Sequence, residues 1–269
     1  MPPSHLRVAL CALAFALALP AAAAASASSR VAAVEVALRD AGFYTADTSL
    51  ATSAALPPAA GRDPLGRRTL RARTHGWAVR ELQVALAWQG FPSGPVDGRF
   101  GARLARALRR FQRFAGLPVD AVAGPATVTS FRKTPPRPAI PLAWPILAPV
   151  GDPFGPRGDR FHAGIDLVAN LGEPVIAAAP GRVAWAGPRA GGWGNLVTIK
   201  HAGGVRTMYA HLSTVGVRVG QWISGGTLVG LVGATGDATG PHLHFEVRVR
   251  GAAVDPLRAL VPLPADAGT

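Results

Sequence analysis

The chain has 269 residues, a length that holds one large domain or two smaller ones with cores of their own. Its formal net charge is +13, from 28 Lys and Arg against 15 Asp and Glu, and it favours polyanionic partners: nucleic acid, anionic lipid or an acidic wall polymer. A single cysteine, Cys11, excludes a disulfide framework within the chain.

Residues 1–27 read as a secretory signal peptide. His5 and Arg7 precede an apolar run over 8–19, and Pro20, an alanine tract and the small-residue site Ala25-Ser26-Ala27 follow it. The run is too short to cross a bilayer, and no later stretch reaches the roughly 18 apolar residues that a spanning helix needs. Cleavage there discards Cys11 and Arg7 and no acid, leaving a charge of +12 and no thiol. The expected location is secreted, in the cell wall or periplasm, without stable membrane insertion after cleavage. Export argues against nucleic acid as the partner.

Residues 28–73 read as a degenerate half repeat and linker. Val31, Val34, Val36, Leu38, Gly42 and Phe43 match Val79, Leu82, Val84, Leu86, Gly90 and Phe91 at a constant offset of 48. In residues 74–133, Val79, Leu82 and Leu86, then Leu104, Leu108 and Phe111, fall at helical spacing on either side of the turn Pro92-Ser93-Gly94-Pro95. A third short helix is expected near Pro125, since proline suits a first turn. Trp77 and Trp88 read as core or rim aromatics of these helices. Residues 134–145 are proline-dense and read as an extended, semi-rigid linker. In 146–261, glycines recur between short Val, Ile and Thr runs at 182–185, 196–199, 207–211, 228–232 and 242–249. Such a pattern indicates an all-β sandwich or barrel-like domain. Residues 262–269 form a tail.

The chemistry is concentrated in Phe161-His162-Ala163-Gly164-Ile165-Asp166 and Gly240-Pro241-His242-Leu243-His244-Phe245-Glu246. Alternation along a strand puts His242 and His244 on one face and Leu243, Phe245 and Val247 on the other. Two imidazoles on one pleated face make half of a zinc site, and His162 and Asp166 supply the other half. A straight strand would hold those two roughly 13 Å apart; Gly164 between them lets the backbone turn and bring both inward. Three protein ligands and a water describe a catalytic zinc, and four protein ligands a structural one. A metallohydrolase is the leading reading. Thr207, Tyr209 and His211 share strand parity, which would place Tyr209 beside His211. Arg157 reads as a substrate contact or a loop ion pair, Asn195 as a turn residue, and Glu246 as a solvated charge on the outer face. His75 and His201 lie outside the motifs and read as surface or hydrogen-bonded residues.

These motifs, together with Phe154-Gly155-Pro156-Arg157, Pro174-Val175-Ile176-Ala177-Ala178 and Met208-Tyr209-Ala210-His211-Leu212-Ser213, resemble the lysostaphin-type zinc metallopeptidases, the exported endopeptidases of peptidoglycan. Residues 76–131 resemble the peptidoglycan-binding three-helix module through Val79, Leu82 and Gln83, the run Gly94-Pro95-Val96-Asp97-Gly98-Arg99-Phe100-Gly101, Phe111-Gln112, and Gly116-Leu117-Pro118-Val119-Asp120. Two departures are Leu104 in place of a usual threonine and Ala121 in place of a usual glycine. The implied fold is multidomain α and β: a small three-helix bundle, then an all-β antiparallel metallopeptidase domain, a sandwich of the duplicated-hybrid-motif type. The resemblance implies one Zn2+ per chain on His162, Asp166 and His244, with His211 and His242 as the unligated histidines that act on the attacking water. It also implies peptidoglycan, and anionic wall polymers with it, as partners. The alternative is a non-catalytic wall-binding activator of another cell-wall hydrolase. A cupin-type metal oxygenase also uses His-X-His on a strand, but the His162–Asp166 pair and the spacing around Glu246 argue against it.

Overall fold

The computed structural model describes residues 64–133 and 135–261. The segment read as a signal peptide, with Cys11, the expected repeat over 31–43 and the tail 262–269 lie outside the described residues.

Among the described residues the first unit holds three helices: α1 (Trp77–Trp88), α2 (Ala102–Ala115) and α3 (Pro125–Ser130). The apolar stripes set their packing. Val79, Leu82, Leu86, Leu104, Leu108 and Phe111 are all buried in one core, where Phe111 stacks on Phe131 at 4.6 Å. α2 stops at Gly116, whose φ of 71° is the left-handed cap that glycine takes without a Cβ penalty. Pro125 opens α3 as its composition implies. Leu65 and Leu70 belong to this core as well, and Leu70 exchanges backbone hydrogen bonds with Ala123.

Two equivalent clamps set the loops. Gln83 donates from Nε2 to Asp97 Oδ1 at 2.8 Å and accepts the Gly98 amide, while Asp97 also accepts the Arg99 amide. Gln112, Asp120, Ala121 and Val122 repeat the pattern bond for bond. The residue after the aspartate turns left-handed in both, Gly98 at φ 74° and Ala121 at φ 59°. An alanine there costs about 1–2 kcal/mol relative to glycine, and the extra freedom of an unfolded glycine returns about 0.4–1 kcal/mol of that. Ala121→Gly is therefore expected to stabilise the protein by about 0.5–1 kcal/mol, read as a higher urea midpoint at unchanged slope. A lower midpoint would show that the clamp carries no strain.

The second unit is built from thirteen strands among the described residues. Strands β1 (Val150–Asp152), β4 (Ile165–Val168), β6 (Gly181–Arg189), β7 (Gly194–Lys200), β8 (Val205–Leu212), β10 (Trp222–Ile223) and β12 (His242–Val249) form one sheet in the order β1-β4-β12-β8-β7-β6-β10, with β13 (Ala252–Val254) paired to β12. A smaller sheet runs β5 (Pro174–Ile176), β11 (Leu228–Leu231), β9 (Thr214–Val215), and β2 (Gly155–Arg157) pairs only with β3 (Arg160–His162). All named pairings are antiparallel, and the large sheet ends at β1 and β10 and does not close into a barrel. Leu243, Phe245 and Val247 are fully buried in the core of this unit. Leu142, within the stretch read as linker, is also fully buried there and bridges Leu260. The Ala143 amide bonds Ala178 and the Ile176 amide bonds Pro145. Proline density thus coexists with docking, because residues around Leu142 find backbone partners along the sheet.

The two units touch. Gly90 accepts a hydrogen bond from the Ala253 amide at 3.0 Å, and a Cβ at Gly90 would lie 2.3 Å from the Ala253 carbonyl oxygen. The Val96 amide bonds the Asp159 carbonyl at 2.8 Å, and the Arg250 guanidinium lies 5.0 Å over the Phe114 ring.

Candidate metal centre

β4 lies beside β12 with Asp166 directly opposite His244. The short turn Ala163-Gly164 leads from His162, the last residue of β3, into β4. A Cβ at Gly164 would sit 2.4 Å from the Phe245 carbonyl oxygen, so close approach to β12 is what demands glycine. His162 Nε2, Asp166 Oδ1 and His244 Nδ1 converge as a result. They lie 3.0 Å (His162 to His244), 3.2 Å (His162 to Asp166) and 2.8 Å (His244 to Asp166) apart. Their side chains are 5%, 8% and 11% exposed.

Each ring is oriented by its other nitrogen. His162 Nδ1 donates to the Pro153 carbonyl at 2.9 Å, which leaves Nε2 as the donor for a metal. His244 Nε2 faces Glu246 Oε1 at 3.4 Å, which leaves Nδ1. Glu246 in turn accepts from Arg248 Nε at 2.7 Å. Burial works against charge on Asp166, but hydrogen bonds from His162 and His244 outweigh it and hold the carboxyl well below its usual range. Burial likewise opposes the His244 imidazolium, yet its bonds to Asp166 and Glu246 push it up to about 9. Burial also disfavours the Glu246 carboxylate, which the Arg248 charge and the His244 hydrogen bond bring down to about 2. Three donors 2.8–3.2 Å apart come close to the roughly 3.3 Å edge of a tetrahedron with ligands about 2.0–2.1 Å from a zinc ion. Two imidazoles and one carboxylate are zinc chemistry, and the residues fit one zinc-binding site.

His211 and His242 stand next to this set. Their rings are 4.8 Å apart, the His211 ring is 5.8 Å from that of His244, and His242 Nε2 is 3.8 Å from Asp166 Oδ1. His211 Nδ1 donates to Thr235 at 2.8 Å and His242 Nδ1 to Gly240 at 2.9 Å, so in both rings Nε2 is the nitrogen left as acceptor, that of His242 on the Asp166 side. Burial keeps His211 below the usual imidazole value. Arg157 reaches from β2 to Asp152 and to Asp166 Oδ2, the latter at 3.4 Å, with its side chain 57% exposed.

The strand-parity reading of Tyr209 is corrected. Tyr209 pairs with Phe245 on the core face, fully buried, its hydroxyl accepting the Ala178 amide. His211 reaches the opposite face because its φ is 62° and the β7–β8 ladder is irregular beside it. Glu246 is 2% exposed and not a solvated charge, since β12 is flanked by β4, β8 and β13. Asn195 lies on β7 and donates to Leu212 rather than forming a turn. Thr235, the anchor of His211, and Trp193, edge-on to His244 at 5.7 Å, were not singled out from sequence. No local pattern marks Thr235. His201 is a structural residue between Pro180 and Thr207, and His75 bridges Arg99 far along the chain from the donors.

A cluster of this kind on an antiparallel sheet defines a metallopeptidase-like centre. Residues 160–256 match peptidase family M23, and residues 75–130 match the peptidoglycan binding domain family. The chain therefore carries a peptidase M23 domain, of a family of zinc metallopeptidases, preceded by a peptidoglycan-binding domain. It is similar to the DD-carboxypeptidase/endopeptidase Mpg of Neisseria meningitidis serogroup B, 46% identical over 125 residues, covering 44% of this chain and 29% of the relative. The murein hydrolase activator NlpD of Escherichia coli is 39% identical over 117 residues, covering 44% and 30%. Lysostaphin of Staphylococcus simulans aligns in structure at 32% identity and a TM-score of 0.40, covering 44% of this chain and 56% of that one. The matched region thus spans under a third of the first two relatives' length. No helix among the described residues is long and apolar enough to cross a membrane.

Proposed function

We propose that the protein is an exported zinc-dependent endopeptidase that hydrolyses peptide cross-links of bacterial peptidoglycan, with residues 74–133 engaging the wall. The observation that carries this reading is the complete set: three convergent donors with His211 and His242 beside them, each with Nδ1 held by a backbone carbonyl. We assign His162, Asp166 and His244 as the ligands of one zinc ion, and His211 and His242 as the catalytic pair.

Zinc held there supplies Lewis acidity, lowering the pKa of a bound water to about 7 and polarising a carbonyl. His211 and His242 do the proton work. Each ring is locked by its Nδ1 bond, so Nε2 can accept a proton and later return one to the leaving amine. Burial holds the His211 pKa below the usual imidazole value, which favours the neutral form that a base needs at the start. The partner imidazole can stabilise the tetrahedral oxyanion only as an imidazolium, with a proton on Nε2 as well as on Nδ1. Arg157 neutralises the outer oxygen of Asp166 and keeps the carboxylate aimed inward. The strongly positive charge, +13 for the full chain and +12 without the segment read as a signal, suits a wall rich in anionic polymer.

The activator reading is favoured by the likeness to NlpD, but such a role has no need of a full donor set and a proton-transfer pair. Purified protein loaded with zinc is expected to release cross-link-cleaved muropeptides from peptidoglycan, identified by mass. A strong chelator stops the release and added zinc restores it. No release by the zinc-loaded protein alone, with stimulation of a second hydrolase, would establish the activator.

A further inference from the structure

The hairpin that ends in His162 is poorly held by its own ladder. β2 and β3 have three residues each and, among the described residues, pair with no other strand. An isolated two-stranded hairpin is marginal in water, yet this one carries both His162 and Arg157. Phe154 packs against the core of the β unit and Arg157 pairs with Asp152 and Asp166, and the helical unit adds a second support. Trp88, the last residue of α1, meets the Phe161 ring edge-on at 5.3 Å and the Phe154 ring at 6.3 Å. Phe154 and Phe161 meet each other at 5.0 Å. A Cβ at Gly155 would meet the Trp88 ring at an ordinary contact distance of 3.8 Å, so it is the φ of 136° rather than space that calls for glycine there. The hairpin tip is pinned at backbone level by the Val96–Asp159 bond. Phe161 directly precedes His162 in the chain.

We infer that the helical unit is a working part of the hydrolytic site, with Trp88 a positioning residue that acts through Phe161 and Phe154 to hold His162 facing Asp166 and His244. A Trp88 used in this way is not free to stack on wall sugars. The Gly90–Ala253 and Phe114–Arg250 contacts fix the angle of docking, so the hairpin meets Trp88 in one register. The inference rests on the metallopeptidase reading of the site.

The test uses full-length parent, Trp88→Ala and Trp88→Phe. Zinc alone is titrated against a chromophoric chelator, and trypsin cleavage after Arg157 and Arg160 is followed in the metal-free proteins. Trp88→Ala is expected to keep the helical circular dichroism, to bind zinc about tenfold more weakly, the lower end of what supporting residues of metal ligands cost, and to be cut faster at the hairpin. Trp88→Phe restores most of both. On a soluble cross-linked peptide, kcat falls with KM unchanged. Parent-like zinc affinity and cleavage rate in Trp88→Ala would overturn the inference. Should that variant lose its helical signal, Trp88→Phe and Phe161→Leu decide: a weaker affinity in Phe161→Leu than in Trp88→Phe supports the inference, and parent-like values in both overturn it. A parent that binds no zinc refutes the metallopeptidase reading, and the trypsin comparison still decides whether Trp88 holds the hairpin.

Discussion

Alanine at His211 or His242 is expected to leave zinc near one per chain while slowing muropeptide cleavage by about a hundredfold or more, the usual scale of acid–base or oxyanion assistance. The geometry separates these rings from the donor set. Each spends Nδ1 on a backbone carbonyl, Thr235 for His211 and Gly240 for His242. Neither Nε2 joins the cluster of mutual contacts at 2.8–3.2 Å made by His162, Asp166 and His244. His211 sits at φ 62°, so a second replacement by asparagine, which tolerates that region, guards against a purely backbone effect. Zinc analysis and a muropeptide assay on the same samples read the two properties. If His242→Ala loses zinc as fully as His244→Ala, the site has four protein ligands and the centre is structural.

The contrasting result is expected at the donors. His162→Ala, Asp166→Ala and His244→Ala should lose bound zinc and hydrolysis together, to the level of the chelator-treated protein, because each removes one of three ligands. Asp166 is the most severe case. Its carboxylate is the one anion among the three donors and contacts both imidazoles, so its loss leaves two ring nitrogens 3.0 Å apart with no carboxylate beside them to balance a cation. Asp166→Asn, which keeps the shape and removes the charge, is expected to fail in the same way. Retention of zinc with loss of turnover in any of the three would move that residue out of the ligand set and into proton transfer.

Much of the candidate site is legible locally. Period-two alternation in 242–247 separates His242 and His244 from Leu243, Phe245 and Val247, and the three apolar side chains are indeed fully buried. The His-X-X-X-Asp spacing around Gly164 announces a turn, and the turn is there. The helical stripes of 79–86 and 104–111 are of the same kind, since amphipathic periodicity is written in neighbouring residues. Ala121 shows the reverse: nothing in its composition announces a left-handed residue, and only the Gln112 clamp holds it there.

What the sequence determined by itself is the chemistry and the element types, because side-chain alternation, turn residues and donor identity are properties of short windows. The tertiary structure decided which side chains share a space. Strand parity put Tyr209 with His211, but a positive φ at His211 and an irregular ladder turn them to opposite faces of β8. Glu246 has the same parity as His244 whether solvated or buried, and the choice was made by the strands on either side of β12. Trp88 reads as one more helix aromatic until the hairpin of Phe154 and Phe161, more than sixty residues away in the chain, closes on it. Burial and partnership depend on what folds over a residue, and that information is spread over the whole chain rather than held in any one segment of it.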